Sequence, residues 1–209
     1  RVSTKITTAS GHITRQQFCD SLYRAIDALG KAPECLLAHD EVDPDALVDF
    51  VVMGNEICDE RRVRRFGLST YRLDNAHAAL MAGVTALQVA GSALDRRPIS
   101  SGLVEAAAAS DCEVMIRSVA MRGWLAQPAL TPAGNPRVAA CLTKWFHECE
   151  RLSIDPAQAA IAVAAHLFPA CTLVVGVDDE AQLMAAASVA VGQSEITSIV
   201  QVMASSCAL

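Results

Sequence analysis

Short apolar runs recur along the chain, and each is followed by a longer stretch whose apolar residues have helical spacing. The runs are apolar on both alternating faces and are flanked by polar or glycine-bearing segments. Strands with two buried faces are typical of parallel sheets that helices cover on both sides. The pattern predicts an α/β protein whose strands lie at residues 2–6, 35–39, 65–69, 86–90, 114–118 and 173–177.

The helical stretches begin with recognisable capping residues. Thr14 stands three positions before Gln17, which is the spacing of a capping box, and Gly30 is placed to end that helix. Asp43 and Asp155 each precede a proline, which favours the first position of a helix. Further helix starts are predicted at Asp74 and Asp178, with a last helix over residues 194–209.

Composition narrows the classes of protein to consider. The chain has 209 residues, 52% of them apolar and 19% charged, and a formal net charge of −6. This supports one folded domain over residues 1–209 and excludes a disordered chain. The single basic run, at residues 61–65, is flanked by acids, so nucleic acid is not an expected partner. No leader peptide or membrane-length apolar run is found, so we expect a cytoplasmic protein with no membrane partner.

The eight cysteines show no paired spacing such as CxxC. Several lie in apolar contexts, which favours small buried hydrophobic residues in a reducing compartment. A His-Glu-Cys run at residues 147–149 has metal-binding side chains, but a helix surface explains it better, and no metal site is expected.

Two architectures fit six alternating strands and helices: an open doubly wound sheet and a (β/α)8 barrel. Neither GxGxxG after the first strand nor GxxxxGK[ST] occurs, so the phosphate signatures of the open sheet are missing. Polar residues instead collect at the carboxyl ends of the predicted strands, the face that builds the active site of a barrel. They are Lys5, His39, Ser69, Gln88, Ser118 and the turn after Gly176.

From these residues to its end the chain resembles the aldo-keto reductase superfamily, beginning at that family's third barrel strand. Six segments match in order over nearly the whole length. They are Ser3-Thr4-Lys5, the SL-x-x-L-G-like helix at 20–30, Leu36-Leu37-Ala38-His39, the R-x-x-G-x-S-N-like strand at 64–70, Leu87-Gln88-Val89, and the Y-S-P-L-x-x-G-like turn at 117–123. The resemblance implies a TIM barrel that is incomplete in this chain, with about six of eight βα units.

The resemblance also implies a catalytic chemistry, hydride transfer between NAD(P)H and a carbonyl. Hydride arrival leaves an alkoxide, which needs a proton donor. The family uses a tyrosine whose pKa a lysine and an aspartate tune, and a histidine that orients the carbonyl. Lys5 and His39 match the lysine and the histidine. The tyrosine and aspartate would lie before Arg1, so we expect the two N-terminal strands to be encoded upstream, cleaved away or supplied by another chain.

Seven further positions match family residues that bind the dinucleotide: Ser69, Thr70, Gln88, Ser118, Arg122, Gly176 and Gln182. Asp178 and Asp179 stand where NADP-dependent members carry residues that favour the 2′-phosphate. A carboxylate about 5 Å from that phosphate would repel it by roughly 3 kcal/mol at an effective dielectric of ~20. We therefore expect NAD(P) as the cofactor class, with NADP disfavoured.

Two functional hypotheses follow. The first is an NAD(P)-dependent oxidoreductase that acts on a small carbonyl or alcohol substrate, as a homo-oligomer or with a complementing chain. The second is a catalytically degenerate barrel that serves as a binding or scaffold subunit. Three features favour the second: the tyrosine and aspartate of the family are absent from this chain, Gly91 falls where many members place a stacking tyrosine, and two acids stand at the phosphate site.

Overall fold

The computed structural model describes residues 2–7, 12–39, 41–61, 63–130 and 134–207. Its strands form one six-stranded sheet in the order β1-β2-β3-β4-β5-β6, so each strand lies next to the strand that precedes it in the chain. The first four strands pair in parallel. The strands are β1 Ser3–Ile6, β2 Cys35–Ala38, β3 Arg65–Thr70, β4 Ala86–Ala90, β5 Glu113–Arg117 and β6 Thr172–Leu173. The first five predicted strands are confirmed to within one residue at each end, whereas the last, predicted at 173–177, is found at Thr172–Leu173.

Helices connect successive strands, and two further helices follow β6. They are α1 Arg15–Leu29, α2 Pro44–Glu60, α3 Leu73–Met81, α4 Arg97–Ser100, α5 Leu103–Ala109, α6 Pro136–Arg151, α7 Pro156–Leu167, α8 Glu180–Ala187 and α9 Gln193–Ser206. A short 3-10 helix, Pro128–Leu130, precedes α6. The predicted end of the last helix falls partly on residues 208–209, which lie outside the described residues.

Local signals set several of these boundaries as predicted. Thr14 accepts a hydrogen bond from the Gln17 backbone N–H at 3.2 Å, and the Gln17 side chain accepts one from the Thr14 N–H at 2.9 Å. Gly30 ends α1 with a φ of 67°, a left-handed conformation that glycine adopts without strain. Asp43-Pro44 and Asp155-Pro156 begin α2 and α7.

Two predicted helix starts are wrong by one or two residues. The cap of α3 is Arg72, and Asp74 lies inside the first turn, where it bonds the Asn75 N–H and the Arg72 guanidinium. The cap of α8 is Asp179 rather than Asp178, because the Asp179 carboxylate is the one that accepts from the Gln182 N–H, at 2.8 Å.

The chain divides into two compact units, Arg1–Val89 with Pro98–Met115 and Ala90–Arg97 with Ile116–Leu209. In the first unit, strand register sorts the side chains onto two faces, because successive residues of a strand point to opposite sides. Lys5 pairs with Leu37, Leu37 with Gly67, and Gly67 with Ala86, so these four residues share one face. A buried apolar cluster lies on it, made of Cys35, Leu37, Ala86 and Met115.

The opposite face of the first unit packs against helices. Phe66 of β3 meets Phe18 of α1 and Phe50 of α2, with ring centroids 5.6 Å away in both cases. All three rings are buried. This face is therefore the main helix–sheet core of the unit.

The second unit has its own core, in which α6, α7 and α9 pack together. Trp145 is fully buried at its centre and donates its indole N–H to the Leu125 carbonyl at 2.8 Å. The single-domain organisation expected for residues 1–209 stays a prediction.

Candidate functional site

A chain of polar side chains runs across the first unit at the carboxyl ends of its strands. The Lys5 ammonium donates to the Ser69 hydroxyl at 3.0 Å, and that hydroxyl donates to the Gln88 side-chain carbonyl at 3.3 Å. Ser69 pairs directly with Gln88 in the β3–β4 register. The Gln88 amide nitrogen lies 3.9 Å from the Met115 sulfur. The structure thus brings together three of the residues that the sequence placed at the site.

The three side chains of this polar row differ in how far they are exposed to solvent. Lys5 is exposed, whereas Ser69 and Gln88 are only 4% and 5% exposed. Each hydroxyl or amide that leaves water at such a position must find a hydrogen-bond partner. The ammonium cannot accept a hydrogen bond, so the Ser69 proton must point away from Lys5 and towards Gln88. The arrangement fixes a positive charge at the mouth of a small buried polar row.

His39 follows β2 directly and belongs to the same end of the sheet. Its backbone N–H donates to the Ile6 carbonyl at 2.9 Å, which extends the β1–β2 ladder by one residue. Its side chain is exposed. Lys5 and His39 therefore lie at the carboxyl ends of two neighbouring parallel strands, as predicted for a barrel active site.

Thr70 takes part in a different network, one that sequence reasoning missed. Its hydroxyl donates to the Glu41 carboxylate and accepts from the Arg72 N–H at 2.9 Å. The same carboxylate accepts from the Tyr71 N–H at 2.7 Å and from the Asn75 amide at 3.1 Å. Glu41 thereby ties the loop that follows His39 to the corner between β3 and α3. No motif links Glu41 to partners about thirty positions away, so only the fold shows this contact.

In the second unit, the turn after β5 has an unusual backbone. Ser118, Met121 and Arg122 have φ values of 62°, 50° and 59°, and Gly123 has a φ of 87°. Non-glycine residues rarely adopt this left-handed region, and such residues cluster at ligand-binding turns. The predicted cofactor residues Ser118 and Arg122 both lie in this turn, and Ser118 is outside the strand predicted to contain it.

The residues predicted at the adenosine end hydrogen-bond to one another. Gln182 accepts from the Asp178 N–H at 3.1 Å and donates from its side-chain amide to Asp179 at 3.2 Å. All three are exposed. Gly176 is also exposed, and a Cβ added there would meet no atom within 4 Å. The glycine is therefore not required by packing, and of the two acids only Asp179 caps α8 with its side chain.

Within the described ranges, no group of three or more His, Cys, Asp or Glu side chains is arranged to hold a metal ion. Over the same residues, no helix has both the length and the hydropathy needed to cross a membrane.

Comparison with known proteins rests on structure. No protein-family model matches the chain, and no curated protein matches it by sequence. An aldo-keto reductase from Bacillus halodurans superimposes in its apo form with a TM-score of 0.72 at 18% identity, over 96% of this chain and 70% of that one. Its holo form gives a TM-score of 0.73 at 17% identity, over 96% of this chain and 71% of that one. A glycerol dehydrogenase from Gluconobacter oxydans gives 0.72 at 12% identity, over 93% of this chain and 66% of that one.

The fold is that of the aldo-keto reductases. In this chain it is an incomplete α/β barrel, as the resemblance implied. Lys5 and Ser69 of the polar row lie one residue before the carboxyl ends of β1 and β3, and Gln88 lies in the middle of β4.

The space around Gly91, where the resemblance places a stacking tyrosine in many family members, is filled by neighbouring side chains. A Cβ at Gly91 would lie 2.8 Å from the Ile116 side chain and 3.0 Å from the Phe168 ring. Phe168 is buried, so it cannot turn aside freely. Because those two side chains fill the space around position 91, a tyrosine there would require the second unit to repack.

Proposed function

We propose that this chain provides the lysine, the histidine and the nicotinamide-binding side chains of an NAD(P)-dependent oxidoreductase. The reaction is hydride transfer between a nicotinamide and a small carbonyl or alcohol. The hydrogen-bonded row of Lys5, Ser69 and Gln88 carries the proposal. The fold that this chain shares with enzymes of that type supports it.

The polar row has hydrogen-bond donors and acceptors that complement the carboxamide group of a nicotinamide. A carboxamide offers one acceptor and two donors, and the Ser69 hydroxyl with the Gln88 amide offers the complementary groups. Both are buried, so a ligand group that replaced the Ser69–Gln88 bond would itself be shielded from water. The bound dinucleotide would supply the hydride.

Lys5 supplies a positive charge near the oxygen on which negative charge develops during the reaction. An ammonium about 4 Å from a developing oxygen anion stabilises it by roughly 4 kcal/mol at an effective dielectric of ~20. Exposure of Lys5 reduces that figure. Ser69 holds the ammonium at the carboxyl end of β1, and His39, at the end of the adjacent strand, orients the carbonyl.

Dinucleotide binding tests the proposal directly. Titration with NADH, followed by nicotinamide fluorescence, should give saturable binding that Ser69→Ala and Gln88→Ala each weaken about tenfold, the worth of one buried hydrogen bond. Where the two N-terminal strands with the catalytic tyrosine are present, Lys5→Met should lower turnover of an aldehyde. Lys31→Met removes the same charge at an exposed turn and is the matched control. If the folded chain binds neither NADH nor NADPH, the proposal is wrong.

The preference for NAD has its own test. Asn caps a helix as well as Asp does, so Asp178→Asn with Asp179→Asn removes two charges while α8 keeps its cap. We expect NADPH affinity to rise at least tenfold and NADH affinity to stay unchanged. An unchanged NADPH affinity would mean that the phosphate does not bind near these acids.

A non-catalytic scaffold is the second candidate. The packing around Gly91 and the capping role of Asp179 favour it, because neither position is arranged for a cofactor. Tight saturable NADH binding would count against it, whereas no binding together with a stable fold would support it.

A further inference from the structure

The side-chain amide of Gln88 has two different neighbours. Its carbonyl oxygen accepts from the Ser69 hydroxyl at 3.3 Å, and its nitrogen donates to the Met115 sulfur at 3.9 Å. Gln88 is 5% exposed and Met115 is 4% exposed, so both contacts are shielded from water. The orientation of this amide therefore depends on the hydroxyl at one end and the thioether at the other.

The hydrogen bonds of the polar row run in one direction. The Lys5 ammonium has donors only, so Ser69 accepts from it at 3.0 Å and gives its own proton to Gln88. Gln88 therefore has to present its carbonyl to Ser69, and its NH2 group faces Met115. A thioether sulfur has no proton and can only accept, so it fits that NH2 group. Turning the amide over would place the Gln88 carbonyl oxygen against the sulfur, with no proton between the two atoms.

Packing holds this sulfur in place. Met115 lies on β5 and belongs to the buried apolar cluster of the first unit, together with Cys35, Leu37 and Ala86. A methionine side chain is usually adaptable, but one that is enclosed by close-packed neighbours keeps few conformations. The thioether is therefore a fixed acceptor beside the amide.

We propose that Met115 is a positioning residue, whose sulfur keeps the Gln88 carbonyl turned towards Ser69 and thereby makes the polar row select an amide over an acid. The inference rests on the proposed function, in which a nicotinamide carboxamide takes the place of the Ser69–Gln88 bond. The carboxamide then binds in one orientation, with its NH2 group donating to Gln88 and its oxygen accepting from Ser69. The carboxylate of a nicotinic acid has acceptors only, so one of its oxygens would face the Gln88 carbonyl without a proton.

The charge of Lys5 acts against this selection. Its ammonium attracts a carboxylate more strongly than a neutral amide. That attraction does not depend on the residue at position 115, so a change at Met115 alters the preference between amide and acid only through Gln88.

The ratio of two affinities tests the proposal. Calorimetric titration with NAD⁺ and with its nicotinic acid analogue compares a dinucleotide that has a carboxamide with one that has a carboxylate. Met115→Leu keeps the side-chain volume and removes the acceptor, so the Gln88 amide is free to turn and to offer its NH2 group to the carboxylate. We expect the affinity for the acid, relative to that for NAD⁺, to rise by about fivefold or more. A general loosening of the structure would weaken both dinucleotides alike and leave their ratio unchanged.

The matched control is Met203→Leu, because Met203 is 1% exposed in the core of the second unit, and this variant should keep the wild-type ratio. If Met115→Leu still binds NAD⁺ but keeps the wild-type ratio, this inference is overturned and the proposed function stands. If the wild-type chain binds neither dinucleotide, the proposed function is overturned and the selection of an amide with it.

A measurement on the free chain tests the orientation of the amide without any ligand. With isotope-labelled methionine methyl groups, NMR should show a nuclear Overhauser contact between the Met115 methyl and the side-chain NH2 protons of Gln88. Absence of that contact from the folded chain would overturn the proposal, whichever dinucleotide binds.

Discussion

Gly54 lies in the interior of α2, and its replacement by alanine sets two effects of known size against each other. Alanine stabilises a helix interior by about 1 kcal/mol relative to glycine. A Cβ at Gly54, however, would lie 2.0, 2.3 and 2.7 Å from three atoms of the Phe66 ring. Carbon atoms in contact are about 3.5–4.0 Å apart, so the overlap is roughly 1.5 Å.

The ring of Phe66 cannot move away from a new Cβ, because it is buried among other side chains. It is 1% exposed, and the rings of Phe18 and Phe50 lie 5.6 Å from it on the helix-facing side of β3. Overpacking of such a site costs about 1–3 kcal/mol and sometimes more. Because three ring atoms would overlap the new Cβ, we expect a cost near the upper end of this overpacking range. After the gain in helix propensity is subtracted, Gly54→Ala should destabilise the protein by about 1–2 kcal/mol.

Urea unfolding followed by circular dichroism measures the change. Phe66→Leu removes the Cε1 and Cζ atoms, so Gly54→Ala made in that background should be neutral or stabilising. The exposed helix residue Ala78, replaced by glycine, calibrates the helix-propensity term. If Gly54→Ala stabilises the otherwise unchanged protein, the packing argument is refuted.

Other positions allow equally direct tests. The Arg151 guanidinium holds the pKa of Glu148 down to about 2. The interaction of the ionised Glu148 with Arg151 therefore stabilises the fold fully above the ordinary carboxyl pKa, and this stabilisation is lost as the pH falls towards 2. Glu148→Gln should therefore lower the urea midpoint by the equivalent of roughly 1–2 kcal/mol at pH 7 and by much less at pH 3, whereas equal losses at both would contradict this. Thr14→Ala should cost about 1 kcal/mol through loss of the capping box, and Thr14→Ser should restore it. Gly67→Ala should abolish folding, because its Cβ would overlap the Ala86 carbonyl of the adjacent strand; a normal unfolding midpoint would show that β3 and β4 can separate there.

Much of the fold could be predicted because its signals are local. The capping box of α1 and the Asp-Pro start of α7 each lie within four residues of what they determine. The alternation of strands and helices left an open sheet and a barrel as alternatives, and the resemblance to a known family favoured the barrel. The start of α8 was misplaced by one residue because two adjacent aspartates offer equally good caps.

The packing constraints could not be predicted, since they join residues far apart in the chain. Gly54 reads as a weak point of a helix until the ring of Phe66 is seen against it. Glu41 reads as one loop acid among several, although it gathers hydrogen bonds from Thr70, Tyr71 and Asn75. Neither contact has a spacing or composition that would identify it.

The adjacent residues Ser69 and Thr70 show why a matched motif does not by itself assign roles. Both were matched to residues that bind the dinucleotide, but neighbouring residues of a strand point to opposite faces of the sheet. Ser69 meets Lys5 and Gln88, while Thr70 meets Glu41 and caps the turn into α3. The Thr70 hydroxyl has one proton, and Glu41 accepts it, so a carboxamide oxygen could take that proton only by displacing a carboxylate. Of the two, Ser69 is therefore the residue that can exchange its partner for a ligand, and Thr70 is the one that keeps the corner of the strand in place.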